Sequence, residues 1–267
     1  MFSSRAAVFC TSDHVDPEDC SWYHGTWQYL RMLDMVATPS WHSYFYETAF
    51  NDAFETGCRS VLISGTADYC LLAHILRASA WFPDVAITVT DLCQTPLESC
   101  KWFAERHGVE IATTASNICE HWEDYSGSFD LITSDAFLTR FTDDMVDKVL
   151  KCWNRLLSDH GRVVTTVRVH HPQSTDDSGL KAELYALRAQ AAMEALGDKA
   201  PISPGEMFDR ALTFATSMVS HSLGSSKEVL DRVQKYFHVL SAEEDDVPGQ
   251  LERTRYLRLE LSKRDLP

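Results

Sequence analysis

The stretch SVLISGTADYCLLAHILRASAWFPDVAITVTD, residues 60–91, decides the fold that the sequence predicts. It begins with a short apolar run and a tight turn of small residues over 64–68. An apolar helix over 69–80 follows, and then a second apolar run over 85–90 that ends in Asp91. A strand, a turn, a helix and a second strand in this order form a βαβ unit, which predicts a parallel sheet.

The residue types in this unit favour a nucleoside ligand. Small residues around Gly65 let the backbone approach a ligand at the helix N-terminus, and Asp91 at the second strand tip can accept both hydroxyls of a ribose. Asp91 follows Gly65 by about 26 residues, where about 20 is usual, and the loop 81–84 accounts for the difference. Gly65 alone remains of the roughly three glycines typical of dinucleotide folds. The segment by itself therefore fits an ordinary α/β domain equally well.

Composition and charge limit the partners. The chain has 267 residues, 45% of them hydrophobic, and a formal net charge of −15. We expect no nucleic-acid partner, because affinity for nucleic acid depends on Lys and Arg that neutralise phosphates. A neutral or cationic small molecule suits an acidic field, although the charge would also serve solubility alone.

Apolar runs near the roughly 18–20 residues of a membrane helix are missing from the sequence, and the N-terminus lacks the order of a secretory signal. We therefore expect no membrane partner and a cytoplasmic location. The sequence leaves a homodimer open.

Cysteine and histidine spacing predicts no metal site. The eight cysteines form no CxxC pair, and the eleven histidines show no HExxH spacing. Several cysteines lie inside apolar runs, where a reduced cysteine behaves as a small hydrophobic residue. We expect neither zinc nor disulfides.

Two aromatic-rich helices are predicted before the first strand, over 18–36 and 41–55. They either pack on one sheet face or form a lid whose aromatic rings line a ligand site. The candidate lid residues are Trp22, Tyr23, Trp27, Trp41 and Tyr44. Alternating strands and helices follow, and the last two strands, 237–240 and 255–261, are predicted to be joined by an acidic turn over 241–252.

This order of elements resembles the class I S-adenosylmethionine-dependent methyltransferases over about residues 58–262. Residues 60–68 resemble the first family motif, V-L-(D/E)-x-G-x-G-x-G, and FDLI at 129–132 resembles the fourth strand. LLSDHGRV at 156–163 resembles the L-L-x-x-x-G block before the fifth strand. The chain departs from the family at Ile63, where the motif has an acid, and at Ala67 and Tyr69, where it has glycines.

The resemblance implies a Rossmann-like fold of class α/β: a seven-stranded, mostly parallel sheet with helices on both faces, an antiparallel last strand and an N-terminal helical lid. Residues 1–57 would form an arm and the aromatic lid. Residues 58–267 would form the S-adenosylmethionine-binding domain, with a helical insertion around 171–222.

The resemblance also implies S-adenosylmethionine as cofactor. Asp68 would replace the missing acid, and Asn117 would stand where the family commonly has an aspartate against the adenine. The cofactor-binding residues implied in this way are Ser64, Gly65, Thr66, Asp68, Tyr69, Asp91, Leu92, Ser116, Asn117, Ile118 and Ser134.

Methyl transfer to a small-molecule acceptor is the function that the resemblance implies. Residues 134–140 do not match the Asn/Asp-Pro-Pro-Tyr/Phe segment associated with methylation of amino groups on bases or glutamine. Asp135 and His170, at the ends of two strands, and Tyr185, on a following helix, are the candidate catalytic residues. Asp135 could instead cap its loop, and His170 could be an ordinary surface histidine.

Two alternatives remain open at this point. The missing acid at Ile63 would leave the amino group of S-adenosylmethionine free to attack its own γ-carbon. That reaction would release azetidine-2-carboxylate and methylthioadenosine. The eroded glycines would also fit a protein that binds S-adenosylmethionine without turnover.

Overall fold

The computed structural model describes residues 10, 20–120, 122–169, 178–247 and 254–265, except for the side chains of 178–180. The helices are α1 (Ser21–Met32), α2 (Ser43–Glu55), α3 (Cys70–Ser79), α4 (Gln94–Arg106), α5 (Asp143–Leu156), α6 (Ser178–Ala195), α7 (Pro204–Ser217) and α8 (Ser226–Val233). The strands are β1 (Ser60–Ser64), β2 (Ala86–Asp91), β3 (Ala112–Ala115), β4 (Phe129–Asp135), β5 (Leu157–Val169), β6 (Phe237–Val247) and β7 (Thr254–Lys263). None of these helices combines the length and the apolar character needed to cross a membrane.

The described strands form one seven-stranded sheet in the order β3-β2-β1-β4-β5-β7-β6. β1 pairs in parallel with both β2 and β4, and β7 runs antiparallel to β5 and β6. This confirms the predicted Rossmann-like fold. The strand order reverses at β1, and in such sheets ligands bind beyond the carboxyl ends of the strands at that point. Ile63 on β1 is fully buried, so its side chain packs in the sheet core.

Helices cover both faces of the sheet. α2 and α3 pack on one face, where Phe50 and Phe54 lie in one apolar cluster with Val61 and Ile63 of β1. α5 packs on the other face, where Trp153 joins a cluster with residues of β4, β5 and β7. Of the two predicted aromatic helices, α2 therefore serves the packing role, because four of its five aromatic rings, Phe45, Tyr46, Phe50 and Phe54, are buried.

α1 packs on α6 and α7, whereas α2 packs on the sheet. Trp27 and Leu30 of α1, Ala186 of α6, and Met207 and Phe214 of α7 belong to a third apolar cluster. We call α1, α6 and α7 the cap. Of the two helices predicted to form the lid, α1 therefore belongs to the cap, and α2 packs on the sheet.

The predicted boundary between β6 and the acidic turn is wrong. The acidic turn predicted over 241–252 is strand as far as Val247, because Arg255 of β7 lies 3.4 Å from Glu244 and 2.9 Å from Asp246. These cross-strand pairs offset the repulsion between acids that made a turn the simpler prediction.

Replacing Trp153 by phenylalanine is expected to lower the free energy of unfolding by about 2 kcal/mol. The indole Nε1–H of this fully buried residue donates to Ser64 Oγ at 2.9 Å, so the change removes a buried hydrogen bond and leaves a small void. Urea unfolding measures the effect. Trp81→Phe is the matched control, because Trp81 is 90% exposed and should change stability by less than about 0.5 kcal/mol. Equal effects of the two variants would contradict the role assigned to the Trp153 hydrogen bond.

Candidate active site

A cavity of about 1090 Å³ lies between the cap and the carboxyl ends of β1, β2 and β4. Its floor includes Gly65 and Thr66 after β1, Asp91 at the end of β2 and Asp135 at the end of β4. Its roof includes residues of α1, α6 and α7. The volume is at the upper end of the range usual for small-molecule and cofactor sites.

Gly65 has a positive φ of +73°, and its N–H donates to the carbonyl of Thr90 at 2.8 Å. A Cβ added at Gly65 would lie 2.2 Å from the Phe137 ring. Only glycine therefore fits both the backbone conformation and the space here. Phe137, in the loop after β4, is a wall of the cavity that the sequence analysis did not identify.

Asp91 is held at the strand tip by two backbone N–H groups. Its Oδ2 accepts from Thr66 at 3.0 Å, and its Oδ1 accepts from Cys93 at 2.9 Å. Burial raises the pKa of Asp91 to about 6, against the opposing effect of these hydrogen bonds. A carboxylate desolvated in this way gains from further hydrogen-bond donors, and its oxygens retain lone pairs for them.

Asp68 is engaged within the protein. Its Oδ2 accepts from Trp27 Nε1 at 2.8 Å and lies 3.0 Å from Arg31 Nη1. Its Oδ1 accepts from the Cys70 N–H at 2.7 Å. Asp68 lines the cavity, but Arg31 already compensates its charge. The sequence did not predict this ion pair. It ties α1 to the β1–α3 turn, so the expected contact with an ammonium group would have to displace Arg31.

Replacing Arg31 by methionine is expected to lower the free energy of unfolding by about 2 kcal/mol, because the buried Asp68 carboxylate loses its cation. The Arg31 side chain is 23% exposed, and the Asp68 side chain is 3% exposed. Arg77→Met is the matched control: Arg77 lies 2.8 Å from Glu47 but is 75% exposed, so its loss should cost less than about 0.5 kcal/mol. Restoration of stability in Arg31→Met/Asp68→Asn would support the assignment in urea unfolding. Equal losses for Arg31→Met and Arg77→Met would contradict it.

Leu92, Ser116, Asn117 and Ile118, which the resemblance implies as cofactor-binding residues, line the β2–β3 side of the cavity. The Asn117 side chain turns toward its own loop. Its Oδ1 accepts from the Cys119 N–H at 3.0 Å, and its Nδ2 donates to Glu120 at 3.1 Å. The expected contact between Asn117 Oδ1 and an adenine amino group would therefore share an oxygen that already caps the loop.

Asp135 is oriented by two hydroxyl groups. Tyr46 Oη donates to its Oδ1 at 2.7 Å, and Thr166 Oγ1 donates to the same oxygen at 2.8 Å. Burial, with a contribution from Asp135, raises the pKa of Tyr46 well above its usual value, so the phenol stays a donor. The next residue, Ala136, has a φ of +49°, which is strained for a residue with a side chain. A fixed carboxylate beside a strained residue at a strand tip is typical of a functional site.

Aromatic rings form the cap side of the cavity. Tyr23 stacks on Trp27 at 5.2 Å and on Phe214 at 5.3 Å between ring centroids, and Trp22 meets Tyr23 edge-on at 5.7 Å. Trp41 lines the same cavity. These contacts bring four of the five predicted lid residues to the ligand space and add Phe214, which the sequence analysis missed.

Tyr185, a predicted catalytic residue, also lines the cavity. Its hydroxyl donates to the Met35 carbonyl at 2.7 Å, and burial raises its pKa above the usual value. Both effects keep the proton on the phenol, so the geometry gives Tyr185 a role in holding the cap.

Four predicted residues lie outside the cavity lining. Ser64 accepts from Trp153, Ser134 is buried 2.9 Å from the Thr165 hydroxyl, Tyr69 stacks on Phe103, and Tyr44 is 83% exposed. Ser64 and Ser134 lie on strands, where alternate residues point to opposite faces, and both side chains turn away from the cavity. Tyr44 lies on α2 and Tyr69 precedes α3, and the packing of these helices sets the direction of both rings. His170 lies outside the described residues.

Basic side chains of the cavity were missed by the sequence analysis. Arg140, Arg168 and Lys181 line it together with the three carboxylates. Arg140 lies over the Tyr23 ring at 5.8 Å and donates to the Val219 carbonyl at 2.6 Å. The cavity lining therefore carries charges of both signs, where the net charge of the chain predicts an acidic field. No local sequence signal marks these residues, because they come from separate segments.

A group of metal-ligand side chains lies at one end of the cavity. Cys20, His24 and Cys93 line it, and Cys10 joins them, with all four ligand atoms within 4.8 Å of one another. The expectation of no metal site rested on spacing in the sequence, and this group is assembled from separate segments.

No protein-family model matches the chain, and the comparison with curated proteins also gave no match. Among solved structures, the chain is similar to the S-adenosylmethionine-dependent methyltransferase SibL, at 17% identity and a TM-score of 0.54 over 98% of this chain and 62% of that one. It is also similar to the N-methyltransferase NodS from Bradyrhizobium japonicum, solved with S-adenosyl-L-homocysteine, at 12% identity and a TM-score of 0.54 over 90% and 98%. A third is the Burkholderia thailandensis 1,6-didemethyltoxoflavin-N1-methyltransferase, at 15% identity and a TM-score of 0.51 over 86% and 92%. The chain spans about half, 54%, of two other aligned structures. At these identities the likeness shows the fold: the chain has the fold of class I S-adenosylmethionine-dependent methyltransferases.

Proposed function

We propose that this chain, with its methyltransferase fold, is an S-adenosylmethionine-dependent enzyme that methylates a small-molecule acceptor. The observation that carries the proposal is Asp91, a half-buried carboxylate fixed at the β2 tip, beside the Gly65 turn and beneath an aromatic cap. NodS and the toxoflavin enzyme share the fold and were solved with S-adenosylhomocysteine. Because fold alone does not fix chemistry, the proposal depends on this chain's own residues.

The residues of the cavity fit this cofactor. Asp91 would accept the ribose hydroxyls, Leu92 and Ile118 would flank the adenine, and the backbone at Gly65 admits close approach. The aromatic rings of the cap would lie near the sulfonium, where each good cation–π contact contributes about 0.5–2 kcal/mol. When bound, S-adenosylmethionine supplies an activated methyl group.

The protein's task is then to exclude water and to align the acceptor with the methyl group. The aromatic rings of the cap would exclude water from the bound cofactor. Asp135, held through Oδ1 by Tyr46 and Thr166, would accept a proton from the acceptor through its other oxygen. Arg140 and Arg168 on the same side favour an acceptor that carries an anionic group.

One observation favours a second candidate, the cyclisation of S-adenosylmethionine itself. The described carboxylates of the cavity are Asp68, Asp91 and Asp135, and Asp68, the expected partner of the amino group, is paired with Arg31. An amino group without a carboxylate partner loses its proton more easily. The nitrogen would form a bond to the γ-carbon as the carbon–sulfur bond breaks. Methylthioadenosine would leave with the electron pair, and one nitrogen proton would pass to a base.

Incubation of the purified chain with S-adenosylmethionine alone, followed by mass spectrometry, separates these functions. Methyl transfer predicts binding with the cofactor intact, and S-adenosylhomocysteine only after an acceptor is added from a panel of anionic and neutral small molecules. Methylthioadenosine with azetidine-2-carboxylate would establish cyclisation. Absence of binding by isothermal titration calorimetry would contradict both.

A further inference from the structure

We propose that Cys10, Cys20, His24 and Cys93 bind one zinc ion, which fastens Cys10 and the start of α1 to the β2–α4 loop. The zinc site borders the cavity, but the proposal does not depend on which ligand the cavity binds. It departs from the expectation that the chain holds no metal.

Three of the six distances between the ligand atoms are close to those of a tetrahedral site. The Sγ atoms of Cys10 and Cys93 are 3.7 Å apart, those of Cys20 and Cys93 are 3.5 Å apart, and Cys10 Sγ lies 3.4 Å from His24 Nδ1. Zinc–sulfur bonds of about 2.3 Å and zinc–nitrogen bonds of about 2.0 Å require edges of roughly 3.5–3.8 Å in a tetrahedron. The group can therefore close around an ion with small movements.

Disulfide formation does not account for the arrangement. A disulfide bond is about 2.05 Å long, well below either sulfur–sulfur distance. A disulfide between two of the cysteines would also not explain why the third cysteine and the histidine lie beside them. Three thiolates and one imidazole in a tetrahedral arrangement suit zinc.

The surroundings favour thiolate at Cys93. Cys93 is the N-cap of α4, where its Sγ accepts from the Thr95 N–H at 3.4 Å, and the positive end of the helix dipole favours an anion. The Thr95 hydroxyl lies 3.1 Å from Cys10 Sγ. Hydrogen bonds of this kind orient and stabilise metal ligands.

The position of the group indicates a structural ion. Four protein ligands fill a tetrahedron and leave no open position for a substrate, as is typical of structural zinc. His24 and Cys93 are buried, and Cys10 and Cys20 are half-buried. Cys20 and His24 stand at the start of α1 in the cap, whereas Cys93 follows Asp91 at the floor of the cavity. The ion would thus hold the cap over one end of the cavity.

Metal titration of the full chain tests the proposal. The reduced protein is stripped with a chelator, and Co²⁺ is added as a spectroscopic probe, followed by Zn²⁺. We expect one equivalent of Co²⁺ with thiolate charge-transfer and tetrahedral d–d bands, displaced by one equivalent of Zn²⁺. Cys93→Ser and His24→Gln should each weaken binding more than about 100-fold, since the loss of a group that only supports a ligand costs 10–100-fold. Cys119→Ser, at a half-buried cysteine outside the group, is the matched control and should bind normally.

Absence of the cobalt bands from the folded, reduced wild-type chain would overturn the proposal. Unchanged bands in both ligand variants would also overturn it, as would a disulfide between two of the three cysteines in protein purified without reductant and free of zinc. The wild-type titration does not depend on whether a variant folds. Because it uses no S-adenosylmethionine, its failure is distinguishable from a failure of the proposed function.

Discussion

Replacing Asp91 by alanine is expected to weaken the binding of S-adenosylmethionine more than tenfold, by isothermal titration calorimetry. The change removes a charged acceptor that would take two ribose hydroxyls, and hydrogen bonds to a charged group contribute about 1.5–3 kcal/mol each. A tenfold loss corresponds to about 1.4 kcal/mol, so even one such bond suffices. The N–H groups of Thr66 and Cys93 also lose their acceptor, which should lower the free energy of unfolding by about 1–2 kcal/mol.

Two further variants make the Asp91 result specific. Asp91→Asn keeps the size of the side chain and one carbonyl oxygen, so it should retain more stability than Asp91→Ala and still bind weakly. Asp124→Ala removes the same charge from an exposed position and should bind as the wild type does. Undiminished affinity in folded Asp91→Ala would contradict the assignment of the β2 tip as the ribose site.

Replacing Gly65 by alanine is expected to lower the free energy of unfolding by about 3 kcal/mol. An alanine at φ +73° costs about 1–2 kcal/mol, and its methyl group would lie 2.2 Å from the Phe137 ring. Forcing a ring out of a packed position costs about 1–3 kcal/mol more. Displacement of Phe137 should also change the shape of the cavity beside the Gly65 turn. The affinity for S-adenosylmethionine should therefore fall as well.

The chain offers a matched control for the backbone term at Gly108. Gly108 has a φ of +66°, and an added Cβ would meet nothing within 4 Å. Gly108→Ala should therefore cost only the conformational strain, about 1–2 kcal/mol, in the same urea unfolding measurement. The same change can be made in a Phe137→Ala background, where the ring is gone. There, Gly65→Ala should lower the free energy of unfolding only by as much as Gly108→Ala does. Equal losses for Gly65→Ala and Gly108→Ala would show that the ring does not resist the methyl group.

The fold was predictable because its signals are local. The apolar run of β1, the small turn at Gly65 and the acid at Asp91 lie within one segment, and the periodicity of each run decides whether it forms helix or strand. The edges of elements were less predictable. β6 continues through acidic residues to Val247 because β7 provides arginines, and no window around residue 241 contains them.

In the candidate site, too, the positions of residues were predictable from local sequence, whereas their contacts were not. The positions of Gly65, Asp91, Ile118 and Asp135 near the cavity follow from their places at strand ends, because parallel strands bring their carboxyl ends to one edge. What each side chain does there depended on neighbours distant in the chain. Asp68 pairs with Arg31, and Asp135 accepts from Tyr46 on a helix that precedes the sheet.

By itself, the sequence determined the parallel sheet, the order of its helices and strands, and the carboxylate at the β2 tip. These depend on hydrophobic periodicity and turn residues, which act over a few positions. Tertiary structure alone decided the partners of Asp68, the composition of the cap and the meeting of Cys10, Cys20, His24 and Cys93. Each of these requires segments far apart in the chain to pack together, and such contacts leave no spacing that a sequence pattern can reveal.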